Sequence, residues 1–139
     1  MTHLNTGDAA LSDIFDQLLD PIARRFKPQL ILCSAGYDPH WGDRLGGLRM
    51  TDRGFFDLTR KLVDLSNDVC EGRLVLTLEG GYGLDGLAYG VVASCAALLG
   101  DRAFDDPIGP SRRAPQPIEA GYLDQLRALH GLPPFAPVA

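Results

Sequence analysis

The sequence lacks most of the features that assign a protein to a class at once. It carries no excess of basic charge: thirteen lysine and arginine side chains stand against eighteen aspartates and glutamates, a formal charge of −5. That balance argues against a cationic groove for nucleic acid and against a surface drawn to anionic lipid, so neither a nucleic-acid nor a membrane partner is expected. No apolar run approaches the about 20 residues that span a bilayer, and the first residues lack the charged-then-apolar order of a secretory signal. Cysteine is scarce and odd in number, at three, with no C-x-x-C pair. Neither a disulfide framework nor a cysteine-built zinc site follows from that. Lysine is nearly missing, Lys27 and Lys61 being the only two, and internal repeats are absent. What is present is 139 residues, 45% hydrophobic and 22% charged, enough for one packed domain. The chain reads as intracellular and cytoplasmic.

Hydrophobic spacing divides the chain into alternating elements. Leu11, Ile14, Phe15, Leu18, Leu19, Ile22 and Phe26 recur at intervals of three and four, which predicts a helix with Asp8 as its N-cap. Pro21 should kink or split that helix, and Lys27-Pro28 should end it. Leu30–Ser34 is a short apolar run between Pro28 and Gly36, the pattern of a strand buried on both faces of a parallel sheet. Ala35–Met50 contains four glycines and a proline and reads as a long loop. Thr51 or Asp52 then caps a second helix, with Phe55, Leu58, Leu62, Leu65 and Val69 on one face, ending at Gly72. Arg73–Glu79 is a second buried strand, and Leu84–Leu99 is a third helix so short of charge that it should be covered on most sides. Strand, helix, strand, helix is a right-handed crossover unit of an α/β fold. Proline-rich linker, a short amphipathic helix near Ile118–Leu129 and a proline-rich end close the chain. Two strands are few for an open sheet with three covering helices. The sheet is therefore expected to be partial, completed by a partner or by another copy.

Ligands of open α/β sheets bind at the loops beyond the carboxyl ends of the strands. Here those loops carry Tyr37, Asp38, His40, Trp41 and Asp43 on one side, and Glu79 and Tyr82 on the other. Gly81–Gly86 satisfies G-x-G-x-x-G between a strand and a helix, which suits a pyrophosphate at a helix N-terminus. The same fingerprint needs a following strand that ends in an acidic residue, and none is present. A glycine-permitted turn into a helix accounts for the string as well. Asp38, His40 and Asp43 include zinc-ligand types, but three ligands from one six-residue loop are geometrically hard. An Asp just past a strand ordinarily caps a turn. On its own chemistry, His40 reads as a surface or supporting histidine, and Asp43 as a residue organising the loop through backbone hydrogen bonds.

The string Pro28-Gln29-Leu30-Ile31-Leu32-Cys33-Ser34-Ala35-Gly36-Tyr37-Asp38-Pro39-His40-Trp41-Gly42-Asp43-Arg44-Leu45-Gly46-Gly47-Leu48 resembles the PDLILVSAGFDAHxxDPLGGL segment of histone deacetylases. It is equally similar to the corresponding segment of acetylpolyamine amidohydrolases and acetoin-utilisation proteins. Leu78-Glu79-Gly80-Gly81-Tyr82 resembles their LEGGYN segment, at the spacing the family has. LLDPIARRFKP, ahead of both, is similar as well, and Met1–Thr6 resembles the tail of a PLPxGTGD stretch with a start codon in place of what precedes it. The resemblance implies the C-terminal third of a three-layer arginase/deacetylase-like fold over residues 1–100, with 101–139 a linker and short helix. It implies that Asp38 is one of three zinc ligands and that the Tyr82 hydroxyl donates to the scissile carbonyl and then to the tetrahedral oxyanion. Gly80 and Gly81 would line the acyl-lysine tunnel, and Leu45 would form an apolar pocket wall where an acidic residue would favour polyamines. His40, Asp43 and Glu79 would support these groups without touching substrate. Arg44 and Gly83 depart from the usual proline and asparagine.

The resemblance also implies what is missing. The family takes a second aspartate and a histidine for zinc from an earlier D-x-H motif, and activates water with a tandem histidine pair. This chain has three histidines, His3, His40 and His130, and no His-His. Asp38-Pro39-His40 is a D-x-H string, but it lies in the third ligand's segment. The expectation is a C-terminal, truncated share of a zinc-dependent deacetylase, acting on an acetylated lysine or amine only when a complementing N-terminal polypeptide supplies the rest. The competing expectations are a non-catalytic module that self-associates through its open sheet edge, forming a homo-oligomer, and the nucleotide-binding reading.

Overall fold

The computed structural model describes residues 5–135. His3 and most of the Met1–Thr6 stretch lie outside the described residues, as does the very end of the proline-containing C-terminus.

The N-terminal helical spacing is realised from Asp8 to Phe26 as three joined pieces. They are α1 (Asp8–Ile14), a π-helical turn (Phe15–Leu19) and α2 (Asp20–Phe26). Pro21 stands in the first turn of α2, so the expected disturbance takes the form of a widened turn rather than a break. Pro21 has no N–H to offer the Gln17 carbonyl four residues back, and the Arg127 guanidinium donates to that carbonyl instead. Lys27, in the left-handed region at φ 56°, ends the helix.

Asp8 does not cap this helix. Gly7 occupies the N-cap, and the Asp8 carboxylate reaches the next long helix, α3 (Asp52–Cys70). There it accepts from the Thr51 N–H at 2.9 Å and the Thr51 hydroxyl at 2.7 Å. Thr51, the N-cap of α3, accepts in turn from the Gly54 N–H at 3.0 Å. A carboxylate over the positive end of α3 is worth more there than at a free helix start, because it satisfies two donors and the helix dipole together.

Strands β1 (Ile31–Ala35) and β2 (Leu74–Leu78) pair in parallel, in register from Ile31 opposite Leu74 to Ala35 opposite Leu78. α3 is their crossover. Helix α4 (Leu84–Leu98) lies along α3. Between them sits the core of Tyr37, Met50, Phe55, Phe56, Ala93 and Ala97. Small residues let α4 approach: a Cβ on Gly90 would stand 2.5 Å from the Tyr37 ring. The Tyr37 hydroxyl donates to Ser94, which also accepts from Thr59. Tyr37 is thus a core residue and not a reactive one.

Two expectations about coverage fail among the described residues. The strands are half-buried only on the side of Ile31, Cys33, Leu74 and Leu76, whereas Leu32 is 71% exposed and Val75 47%. Helix α4 likewise presents Tyr89, Val92 and Leu98 to solvent, as does its C-cap Leu99. Helices α1 and α3 cover a single face, so apolar residues patterned for two-sided burial are left bare. After Gly100 the chain runs without helix or strand until α5 (Tyr122–Leu129), whose start is set by Gly121 at φ 78°. No helix among the described residues is long and apolar enough to cross a membrane.

Candidate active site

Backbone pairing between the two strands continues past their ends. The Glu79 N–H donates to the Ala35 carbonyl at 3.1 Å and the Tyr37 N–H to the Gly80 carbonyl at 2.9 Å. This zips the two loops together and brings the Asp38 side chain against Gly80. A Cβ on Gly80 would overlap Asp38 Oδ1, and one on Gly36 would come within 2.8 Å of it. The carboxylate of Asp38 therefore lies in a seat formed by two absent side chains. For Gly80 this is a second reason to be glycine, beside the tunnel-lining role the resemblance implies. Gly81 has its own, a backbone φ of 133° that L side chains rarely adopt.

The first loop is folded back on itself. Met50 N–H donates to the Pro39 carbonyl and Trp41 N–H to the Met50 carbonyl, while Gly46 packs so closely on the Asp38 backbone that a Cβ there would overlap the Asp38 carbonyl. Outside segments brace it. Asn5 N–H reaches the Gly47 carbonyl and Arg49 N–H the Thr6 carbonyl. The Arg49 side chain bonds Asn5 and Ser111, and the Trp41 indole donates to the Gly109 carbonyl at 2.8 Å.

Asp43 joins this loop to the next. Its Oδ1 accepts from Leu45 and Gly46, and its Oδ2 from Tyr82 at 2.7 Å and Gly83 at 2.9 Å. Partial burial pushes the Asp43 carboxyl up, but the four N–H donors outweigh it and hold it below the usual carboxylate range. The N–H groups of Tyr82 and Gly83, at the start of α4, are those a pyrophosphate would need under the G-x-G-x-x-G reading, and the chain's own carboxylate occupies them. The Tyr82 side chain is 66% exposed and Leu45 is exposed beside the same loop. Glu79 faces the open side of the sheet, where it accepts from the Ser34 hydroxyl at 2.8 Å.

His40 is not a surface histidine: it is 2% exposed. Its Nδ1 accepts from the Gly42 N–H at 3.1 Å, and a Cβ on Gly86 would stand 2.5 Å away from it, so the ring is roofed by the first turn of α4. With Nδ1 an acceptor, the neutral ring carries its proton on Nε2. That atom lies 3.7 Å from Asp52 Oδ1, beyond hydrogen-bond reach. His40 Nε2 is buried without a hydrogen-bond partner, and the enclosed Asp52 carboxyl meets the Asp106 carboxylate, to which it can donate only when protonated. Burial, with the charge of nearby Asp106, pushes Asp52 up to about 7, and burial pushes His40 down. Asp106 is itself raised by burial but held low by the N–H groups of Gly109, Arg53 and Ile108. Asp52, one of the two residues expected to cap α3, is instead enclosed in its first turn behind the Thr51 cap, and Asp106 is not singled out by the sequence; nothing in the string TDRGF marks an aspartate as enclosed.

The donors that face the loop ends do not make a metal site by themselves. Asp38 is there, His40 is turned beneath α4, and Asp43 is saturated by N–H groups. Among the described residues no group of three or more His, Cys, Asp or Glu side chains is arranged to hold a metal ion. The described residues alone do not fit a zinc centre.

The histone deacetylase domain family matches residues 1–98. The chain is 42% identical, over 106 residues, to histone deacetylase 14, chloroplastic, of Arabidopsis thaliana, covering 73% of this chain and 25% of that protein. It is 38% identical to the human polyamine deacetylase HDAC10, covering 88% of this chain and 18% of the relative. Among solved structures, the crystal structure of the HDA15 HD domain superposes with a TM-score of 0.63 at 31% identity, over 78% of this chain and 28% of that one. The chain thus spans between 18% and 28% of the length of these relatives.

Proposed function

This chain belongs to the histone deacetylase family, and from that premise we propose that it supplies the C-terminal share of a zinc-dependent deacetylase centre and is inactive alone. Asp38 contributes one carboxylate to the metal. Tyr82 donates its hydroxyl to the carbonyl oxygen of an acetyl amide and holds the negative charge that develops there, the kind of preorganised donor that lowers the barrier most. Gly80 and Gly81 border the path of the acylated side chain, and Leu45 forms an apolar wall. The remaining metal ligands and the general base come from residues outside these 139, either earlier in the same polypeptide or on a complementing one. The substrate is an acetylated lysine or an acetylated amine. In support of this reading, Asp38 and Tyr82 follow the carboxyl ends of two parallel strands, where ligands of open α/β sheets bind.

The observation that carries the reading is the convergence of Asp38 and the Tyr82 loop, linked through Gly80 and Asp43. The test is reconstitution. Mixed with a polypeptide that carries the tandem histidines and the D-x-H motif, the chain should release acetate from an acetyl-lysine peptide. Tyr82→Phe should lower kcat on the order of 100-fold, the usual effect of removing one oxyanion donor. An unchanged rate for Tyr82→Phe in an active mixture would remove Tyr82 from the role.

A further inference from the structure

The tyrosine loop has almost nothing of its own to hold it. The Tyr82 ring is 66% exposed, so side-chain packing does little to orient it. Helix α4, which begins two residues later, has Gly83 at its N-cap and no side-chain cap. The first amides of a helix then lack acceptors unless another segment provides them. That segment is the first loop, about forty residues earlier. Its Asp43 carboxylate spends both lone-pair positions of Oδ2 on the Tyr82 and Gly83 N–H groups, and both positions of Oδ1 on Leu45 and Gly46. Gly83 sits in van der Waals reach of the Asp43 backbone, 3.5 Å from its Cα for an added Cβ. The two loops are therefore in direct contact at this point. A full negative charge also lies at the positive end of α4, where it is favourable.

From this geometry we infer that Asp43 is the positioning residue of the site: a helix cap lent by the loop of Asp38, which fixes the Tyr82 backbone relative to that loop before any metal or partner polypeptide arrives. The inference rests on the role proposed for Tyr82, but its test does not use activity. Tyr82 and Gly83 are placed by one carboxylate that equally binds Leu45 and Gly46. The four amides should behave as one unit, and that coupling is what distinguishes a strap between loops from general support of the fold.

Amide NMR of the full chain tests this. As pH falls through the range of Asp43, the Tyr82, Gly83, Leu45 and Gly46 amide resonances should move together with a single midpoint, below the range of exposed aspartates. In Asp43→Asn, one oxygen acceptor remains, and hydrogen exchange at Tyr82 and Gly83 should accelerate about tenfold or more. The amides of β1 and β2 should keep their protection. Two results would overturn the inference: midpoints for Tyr82 and Gly83 that differ from those of Leu45 and Gly46, or acceleration in Asp43→Asn spread evenly over the chain. The titration needs no variant and stands even if Asp43→Asn does not fold. If the amides titrate as one and Tyr82→Phe nevertheless leaves the reconstituted rate unchanged, Tyr82 loses the role proposed for it and the strap remains.

Discussion

At the scale of single residues, the least expected group is Asp52. It is 0% exposed and is pushed from 3.8 to about 7 by burial, by the charge of Asp106 and by the hydrogen bond its protonated form makes there. A carboxyl whose pKa is raised on folding holds its proton more tightly in the folded chain, so its ionisation opposes folding. Its contribution is intact below the unfolded value, near 4, and is lost progressively as pH rises to about 7. His40, pushed down, runs the other way below its ordinary range, so the comparison must be between variant and parent. Asp52→Asn should be more stable than the parent by a few kcal/mol at pH 8, with the difference shrinking toward pH 4, given about 1.4 kcal/mol per pKa unit. Urea unfolding at both pH values measures it; a difference independent of pH would mean that Asp52 is ionised throughout. The meeting of the Asp38 and Tyr82 loops, by contrast, is suggested by the sequence, because both stand in long strings of residues whose order is itself the signal. Burial of Asp52 arises from α4 and the 101–113 segment folding over α3, which no local pattern encodes.

At the scale of elements, spacing sufficed for long helices and for both strands, whose observed limits differ from the expected ones by a residue or two. It did not suffice for the ends. Asp8 has the chemistry of an N-cap, but its partner is Thr51, forty-three residues away. Pro21 was rightly read as a disturbance, yet the relief comes from Arg127 at the other end of the chain. The start of α5 is four residues later than Ile118 suggests because Gly121 is left-handed. Capping energies make the first of these testable. Thr51→Ala should cost about 1–2 kcal/mol, and Asp8→Ala a similar amount. The double variant should cost clearly less than the sum, since each removes the other's partner. Thermal or denaturant melts of the three variants check this, and strict additivity would mean that the two side chains act separately.

At the scale of the molecule, the two-stranded sheet and helix α4 both turn apolar residues outward. Leu32, Val75, Tyr89, Val92 and Leu99 are all exposed. Sequence alternation predicted these elements correctly but assumed a second layer that the described residues do not contain. Such surface is rarely left in water, so the isolated chain should associate at micromolar concentration. The double variant Leu32→Lys with Val75→Lys should shift it toward monomer in sedimentation velocity. A parent that stays monomeric at all concentrations would mean that the faces are covered from within.

On the proposed function, Asp38 offers one carboxylate to a metal and Tyr82 an oxyanion donor, while the described residues form no group that holds the metal alone. Elemental analysis of tag-free chain, purified without chelator, decides it. The account predicts close to zero zinc per chain. A ratio near one would show that Asp38 is joined by ligands from within these residues, and would contradict the account.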